Sequence, residues 1–290
     1  MDALAKCLGI SFKGKMMEKN EMLLKKLASI SLEGERRHES IDQFYKTYPE
    51  LTLEDGYVGQ KIRLGMMEAE GFKAVGFKLG GTSLSKQKEI QTKLTLGEYV
   101  APEQPKLGIL MDYMRIEDGM PLKMAELIHP KLEAELAFVL GKELMGPHVL
   151  APDVMMATAY VTPAFEIIDS RFHDFKMGGR ADALIDNLSS SRFKLGRVKK
   201  DPFEVDMVGM GVRTSFNGEY TGYSAAGAVM GHPARAIASL AKTLYEKMGM
   251  GIPAGSIILT GAICASHPVQ ASDHIEADFD GLGTITLDVR

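Results

Sequence analysis

The segment LEAELAFVL, residues 132–140, restricts what this chain can become more than any other stretch. Side chains on a strand alternate between faces. Read that way, Leu132, Ala134, Leu136, Phe138 and Leu140 form a fully apolar side, and Glu133 and Glu135 stand together on the other. On a helix the two glutamates would diverge by about 200°, at 3.6 residues per turn. The pattern therefore predicts a strand carrying two adjacent carboxylates. A solvated sheet face explains such spacing in many proteins. Like charges two residues apart also repel, and a metal ion would turn that repulsion into binding. A third carboxylate, Glu166, lies in the similarly apolar PAFEIIDS. Three oxygen ligands with no nearby Cys or His pair favour a hard ion, Mg²⁺ or Mn²⁺. His129 and His173 flank these segments and read as structural or surface residues.

Around this strand the chain divides into two kinds of pattern. Residues 1–71 are expected to form a helical N-terminal segment, and 72–290 a β-rich domain carrying the metal site. Leu23, Leu24, Leu27 and Ile30 recur at helical spacing, as do Val58, Ile62, Met66 and Ala69. Thr52 suits an N-cap, with Asp55 three residues on, and Gly71 suits a helix stop. From residue 107 strand-like runs dominate: LGILMDYM, AFEIIDS, VDMVGMGVRTSFNGEY, SIILTGAIC and HIEADFDGLGTITLDV. Asn217-Gly218 and Asp280-Gly281 are turn dipeptides. One helix interrupts them, PARAIASLAKTLYEKMGM, with Pro233 in its first turn and Gly249 near its end. TSLSKQKEIQTKLTLGEYVAPEQPK reads as a polar stretch ending in a loop. No internal repeat or linker is visible.

Composition excludes several classes. The 290 residues carry a net charge of −4, with basic and acidic residues mixed, so no positive field draws nucleic acid. No window approaches the roughly 20 apolar residues of a membrane span. The N-terminus lacks an apolar secretory core, and Cys7 and Cys264 stand far apart with no metal or redox spacing. A reducing cytoplasm is the expected location. The absence of GxSxG, HExxH and CxxC removes support for esterase, zinc-protease and thiol-redox chemistry.

Two further segments carry candidates. Lys78 sits in GFKLGGTS, where it either reaches solvent from an exposed strand position or orients a carboxylate or oxo group. ALIDNLSSSRFKLG supplies Asp186, Asn187, Ser189, Ser190 and Ser191. Such polar clusters are commonly turns, and here they could also donate hydrogen bonds to a bound acid.

Taken in order, GFKLGGTS, GILMDYM, HPKLEAELAFVLGKEL, TPAFEIIDSRF, DNLSSSRFKLG, GHPARAIASLAK and IILTGA resemble the 2-oxopent-4-enoate hydratase and 4-oxalocrotonate decarboxylase family, of fumarylacetoacetate hydrolase-like fold. The resemblance runs from about residue 22 to the C-terminus. Residues 1 to about 20 read as an extra segment, and the stretch between Ser83 and Gly108 as longer than the family norm. The resemblance implies an α+β fold with a mixed β-roll or barrel core. It implies Mg²⁺ (Mn²⁺ as a substitute) on Glu133, Glu135 and Glu166, and substrate contacts from Lys78, Ser189 and the backbone near Leu79. It further implies a small 2-oxo acid substrate in the catabolism of aromatic compounds, a homo-oligomer, and a partner hydratase.

Two departures matter. Lys106 stands where hydratases of this family carry an acid that assists proton transfer, and Ala271-Ser272-Asp273 replaces a Gly-Asp turn. Decarboxylation needs no general base at that position, whereas hydration must move protons. The expected activity is therefore Mg²⁺-dependent decarboxylation of 2-oxohex-3-enedioate to 2-hydroxypenta-2,4-dienoate. The alternatives are 2-oxopent-4-enoate hydratase, an acylpyruvate hydrolase, and a non-catalytic partner subunit. The hydrolase lacks a suitably placed histidine before Glu133, and the intact glutamates and Lys78 speak against a non-catalytic subunit.

Overall fold

A computed structural model describes residues 15–83, 105–176 and 180–290 of the chain. The N-terminal extra segment and the long stretch after Ser83 therefore fall almost entirely outside the described residues.

Two helices lead into the sheet: α1 (Lys15–Arg37) and α2 (Leu53–Ala69). Thr52 caps α2. Its hydroxyl accepts from the Asp55 amide at 3.2 Å, and Asp55 Oδ2 accepts from the Thr52 amide at 2.9 Å. This reciprocal pair satisfies two of the unpaired donors at the helix start. Gly71, at φ 96°, turns the chain away after the helix. On α1, Leu24 and Leu27 are buried as the spacing predicts.

The apolar stripe expected on α2 is not its buried face. Val58 is exposed, and the buried side carries Gly56, Tyr57, Gly59, Gln60, Arg63, Leu64 and Met67. The reason is close packing against α4 (Arg180–Ile185). A Cβ on Gly56 would lie 2.9 Å from Ala181 Cα, and one on Gly59 2.6 Å from Ile185 Cγ1. A face built from glycines and paired polar residues has no hydrophobic signature to read.

The main sheet has the order β2-β1-β8-β3-β4-β5, with β9 added to β3. Its members are β1 (Ala74–Gly80), β2 (Lys106–Met111), β3 (Lys131–Leu140), β4 (Thr158–Ile168), β5 (Ser190–Leu195), β8 (Ile257–Leu259) and β9 (His267–Pro268). The β1–β8 pair is parallel and the other pairs are antiparallel, so the sheet is mixed. A short helix α3 (Ala151–Ala157) links β3 to β4. The sheet curls until its edges meet. The Ile116 amide just beyond β2 donates to the Phe193 carbonyl of β5 at 2.8 Å.

The second sheet, β11-β10-β6-β7, is antiparallel throughout. It comprises β6 (Gly211–Phe216), β7 (Glu219–Ala225), β10 (His274–Phe279) and β11 (Gly283–Asp288). Asn217 and Gly218, both at positive φ, make the β6–β7 turn, and Asp280-Gly281 begins the β10–β11 turn. Helix α5 (Pro233–Met248) buries Ala234, Ile237, Leu240, Ala241 and Leu244 and ends on Gly249 in the left-handed region. Two strand-like runs are shorter than their sequence suggests. Residues 205–210 form a turn because Asp206 Oδ1 takes the amides of Val208 and Gly209, at 3.0 and 2.8 Å. In SIILTGAIC only Ile257–Leu259 is strand, since Gly261 adopts φ 102°.

Candidate metal and substrate site

Strand β3 places Glu133 and Glu135 on one face, and the β3–β4 register sets Glu133 directly opposite Glu166. Each of the three carboxylates offers an oxygen, and these oxygens all lie within 4.8 Å of one another. Glu135 and Glu166 are fully buried, and Glu133 is half-buried. Burial, with Glu166 and Glu133 alongside, pushes the Glu135 carboxyl well above the usual carboxylate range. The Gly261 amide, donating to Glu135 Oε2 at 2.7 Å, and the Lys78 charge only partly offset this.

One cation approaches the trio from the far side of the curled sheet. Lys78 Nζ, itself 3% exposed, lies 3.0 Å from Glu166 Oε1. Glycines let it lie there. A Cβ on Gly76 would sit 1.8 Å from the Ile257 carbonyl oxygen, so only glycine permits the close β1–β8 approach. Opposite Lys78 in β2 is Gly108, where a Cβ would lie 3.0 Å from Lys78 Cε.

Among the described residues, the Lys78 ammonium lies against this carboxylate trio, on Glu166. Glu135 Oε1 and Glu166 Oε2 are buried and accept no hydrogen bond, while Glu166 Oε1 has the Lys78 ammonium beside it. Buried carboxylate oxygens are ordinarily hydrogen-bonded or bound to metal. The residues therefore fit a divalent cation, and an all-oxygen set fits a hard one.

The remaining sequence candidates fall as follows. Leu79 is buried on β1 beside Lys78, its carbonyl oxygen 3.2 Å from where a Gly261 Cβ would be. Ser189 is 1% exposed in the turn Asn187–Ser189, its amide donating to the Asp186 carbonyl and its carbonyl accepting from the Asp169 amide. Lys106 pairs with Gly80, so strand alternation puts it on the same face of β2 as Gly108. His173 is exposed, while His129 packs its ring 5.3 Å from that of Phe175. Neither belongs to the carboxylate group. Sequence reasoning gave no role to Gly261 or Gly108, and read Asn187 only as a turn residue or a donor to a bound acid. Gly261 lies inside IILTGA, yet nothing in its spacing reveals that its amide holds Glu135.

Residues 84–290 match the family described as fumarylacetoacetate (FAA) hydrolase C-terminal. The chain belongs to this family. The 2-hydroxyhexa-2,4-dienoate hydratase of Comamonas testosteroni is 37% identical over 266 residues, covering 89% of this chain and 96% of its own length. The 4-oxalocrotonate decarboxylase of Pseudomonas sp. (strain CF600) is 38% identical, covering 82% and 86%. Among solved structures, 4-oxalocrotonate decarboxylase from Pseudomonas putida G7, complexed with magnesium and adipate, gives a TM-score of 0.86. It shares 36% identity and covers 93% of this chain and 98% of its own. The curled mixed sheet with its antiparallel companion is the fumarylacetoacetate hydrolase-like fold, as the family resemblance implies.

Proposed function

We propose that this chain is a Mg²⁺-dependent lyase of short 2-oxo acids, and within that class a decarboxylase of 2-oxohex-3-enedioate. The observation that carries the reading is the convergence of Glu133, Glu135 and Glu166, with Glu135 Oε1 and Glu166 Oε2 buried and accepting no hydrogen bond and the Lys78 ammonium against Glu166. A divalent cation held there supplies Lewis-acid stabilisation to the 1-carboxylate and 2-oxo oxygen of such an acid.

The chain's own part is positional and electrostatic. Lys78, anchored by Glu166, presents a fixed positive charge on the wall facing the glutamates. In the substrate, the carboxylate on C5 is conjugated through C3=C4 to the ketone. Breaking its C–C bond releases CO₂ and sends the electron pair to the C2 oxygen. Protonation of that oxygen gives 2-hydroxypenta-2,4-dienoate. Negative charge grows on this oxygen only as the bond breaks, so Lys78 stabilises the transition state more than the substrate. Lys106, in place of an acid, supports decarboxylation over hydration. The adipate carried by the Pseudomonas putida G7 relative supports a six-carbon dicarboxylate.

Hydration of 2-hydroxypenta-2,4-dienoate is the second reading, favoured by the hydratase at 37% identity. Mass analysis after separate incubations with 2-oxohex-3-enedioate and with 2-hydroxypenta-2,4-dienoate, each with Mg²⁺, separates the two. Loss of the mass of CO₂ from the first is expected, and gain of one water by the second with the first unchanged establishes the hydratase.

A further inference from the structure

The wall that carries Lys78 holds a second polar side chain, Ser190. Ser190 is 0% exposed, and its hydroxyl has no hydrogen-bond partner. Burying a hydroxyl without a partner is unfavourable, and such groups in folded proteins commonly mark a ligand position. A Cβ on Gly108 would lie 3.0 Å from both Ser190 Oγ and Lys78 Cε, which puts these two atoms within about 6 Å of each other. No side chain of Gly108 stands between them.

The backbone is bent to aim this hydroxyl. The β4–β5 register slips between Ile167 and Ile168, so that Ser190 rather than Ser191 opposes Ile168. Ile168 is two residues beyond Glu166 and shares its face. The irregularity thus turns Ser190 toward the glutamates' side, the re-aiming that bulges perform beside active sites. Just before it, Asn187, Leu188 and Ser189 all hold left-handed φ of 51°, 53° and 58°. Such strain persists only where neighbours over-determine it. Here Asn187 Oδ1 accepts from the Ile109 amide at 2.7 Å, and Asn187 Nδ2 donates to the Ile109 carbonyl at 2.8 Å. Gln60 Nε2 also donates to Asn187 Oδ1, at 3.2 Å. Asn187 thereby pairs with edge strand β2 as another strand would. On the other flank, Arg171 Nη1 donates to the Ser190 carbonyl at 3.0 Å.

We infer that Ser190 is a substrate-binding residue, donating its hydroxyl hydrogen bond to an oxygen of the bound 2-oxo acid from the same wall as Lys78. The inference rests on the oxo-acid reading above and adds a contact that the resemblance gives to Ser189. The test is calorimetric titration of the wild-type chain, Ser190→Ala and Ser189→Ala, first with Mg²⁺ and then, Mg²⁺-loaded, with oxalate as a two-carbon stand-in for the carboxylate and oxo oxygens. Thermal melting of each metal-free protein accompanies it.

Ser190→Ala should bind Mg²⁺ as the wild type does and oxalate about 10- to 100-fold more weakly, the scale of one lost hydrogen bond to a charged acceptor. Its metal-free Tm should hold or rise, because the hydroxyl removed has no partner there. A purely structural serine would show the reverse, with Tm lowered and oxalate affinity kept, and that result overturns the inference. So does a parallel loss of Tm and Mg²⁺ affinity, or an oxalate defect confined to Ser189→Ala. A wild type that takes Mg²⁺ but no oxalate removes the oxo-acid reading and the Ser190 assignment together. Wild type and Ser190→Ala binding oxalate equally removes Ser190 alone.

Discussion

Among the described residues, two clusters of buried charge are built on opposite terms. Around Arg171 the guanidinium is met on every side. Its Nε meets Asp186 Oδ1 at 2.6 Å, its Nη1 reaches the carbonyls of Asp169 and Ser190 at 2.8 and 3.0 Å, and its Nη2 reaches the Asp186 carbonyl. Nearby, Arg63 pairs with Glu35, whose other oxygen accepts from the Tyr113 hydroxyl at 2.6 Å. Burial alone would raise the Glu35 carboxyl, yet Arg63, Arg171 and Tyr113 outweigh it and hold it below its ordinary range. Deeper in, burial still lifts Asp186 although Arg171 lies against it. Around Glu135 the balance differs: three carboxylates converge, Glu135 Oε1 and Glu166 Oε2 accept no hydrogen bond, and burial beside Glu166 and Glu133 raises the Glu135 carboxyl well above its usual range. Matched buried charge fixes a fold, whereas unmatched buried charge destabilises the bare protein and is retained where something else binds.

The sharpest break in that contrast comes from Arg171→Met. Removing one partner of a buried, hydrogen-bonded pair costs about 3–5 kcal/mol, read as a fall in the urea midpoint. A loss under about 1 kcal/mol would rank the pair with ordinary exposed ion pairs. On the other side of the comparison, Lys78→Ala should leave the fold standing and lower kcat about 10²- to 10³-fold, the scale of a lost electrostatic donor. Near-normal turnover would remove Lys78 from the chemistry.

Glu135→Gln tests the unmatched cluster from both directions. Mg²⁺ affinity should fall by at least the roughly 10- to 100-fold that loss of an outer-shell partner costs. The metal-free variant should be the more stable protein near neutral pH. Because the folded carboxyl binds its proton more tightly than the unfolded one, ionising it costs stability as pH rises above its ordinary value of 4.5. The gap between variant and wild type should therefore be near zero in acid and widen with pH. A gap independent of pH would show that Glu135 carries no such penalty. The smallest effect is expected of Gly261→Ala, whose φ of 102° and 2.0 Å approach to Thr82 Oγ1 resist a side chain. The displaced amide should slacken Glu135 and cost about 10-fold in Mg²⁺ affinity, with unchanged affinity counting against its role.

The unmatched cluster was the legible one. Strand periodicity alone joins Glu133 to Glu135, and the apolar setting of Glu166 marks it as a third. The capping box at Thr52 and the Asn217-Gly218 turn could be read because their chemistry is local. What escaped depends on neighbours far along the chain. The buried face of α2 is made of Gly56, Gly59, Gln60 and Arg63, so hydrophobic spacing pointed to Val58 instead. Gly108 and Gly261 matter for what stands beside them in space. The strained turn at Asn187 reads as an ordinary polar loop until β2 is seen accepting its amide.

All three glutamates come from one antiparallel strand pair, β3 and β4, whereas Lys78, Gly108 and Ser190 come from β1, β2 and β5. The residues that would grip the ion and those that would meet the acid thus stand on different strands of one sheet, with the Lys78–Glu166 ion pair reaching between the two groups. Substitutions at 108 or 187–190 can redraw the outline of the accepted molecule and leave the ion's seat untouched.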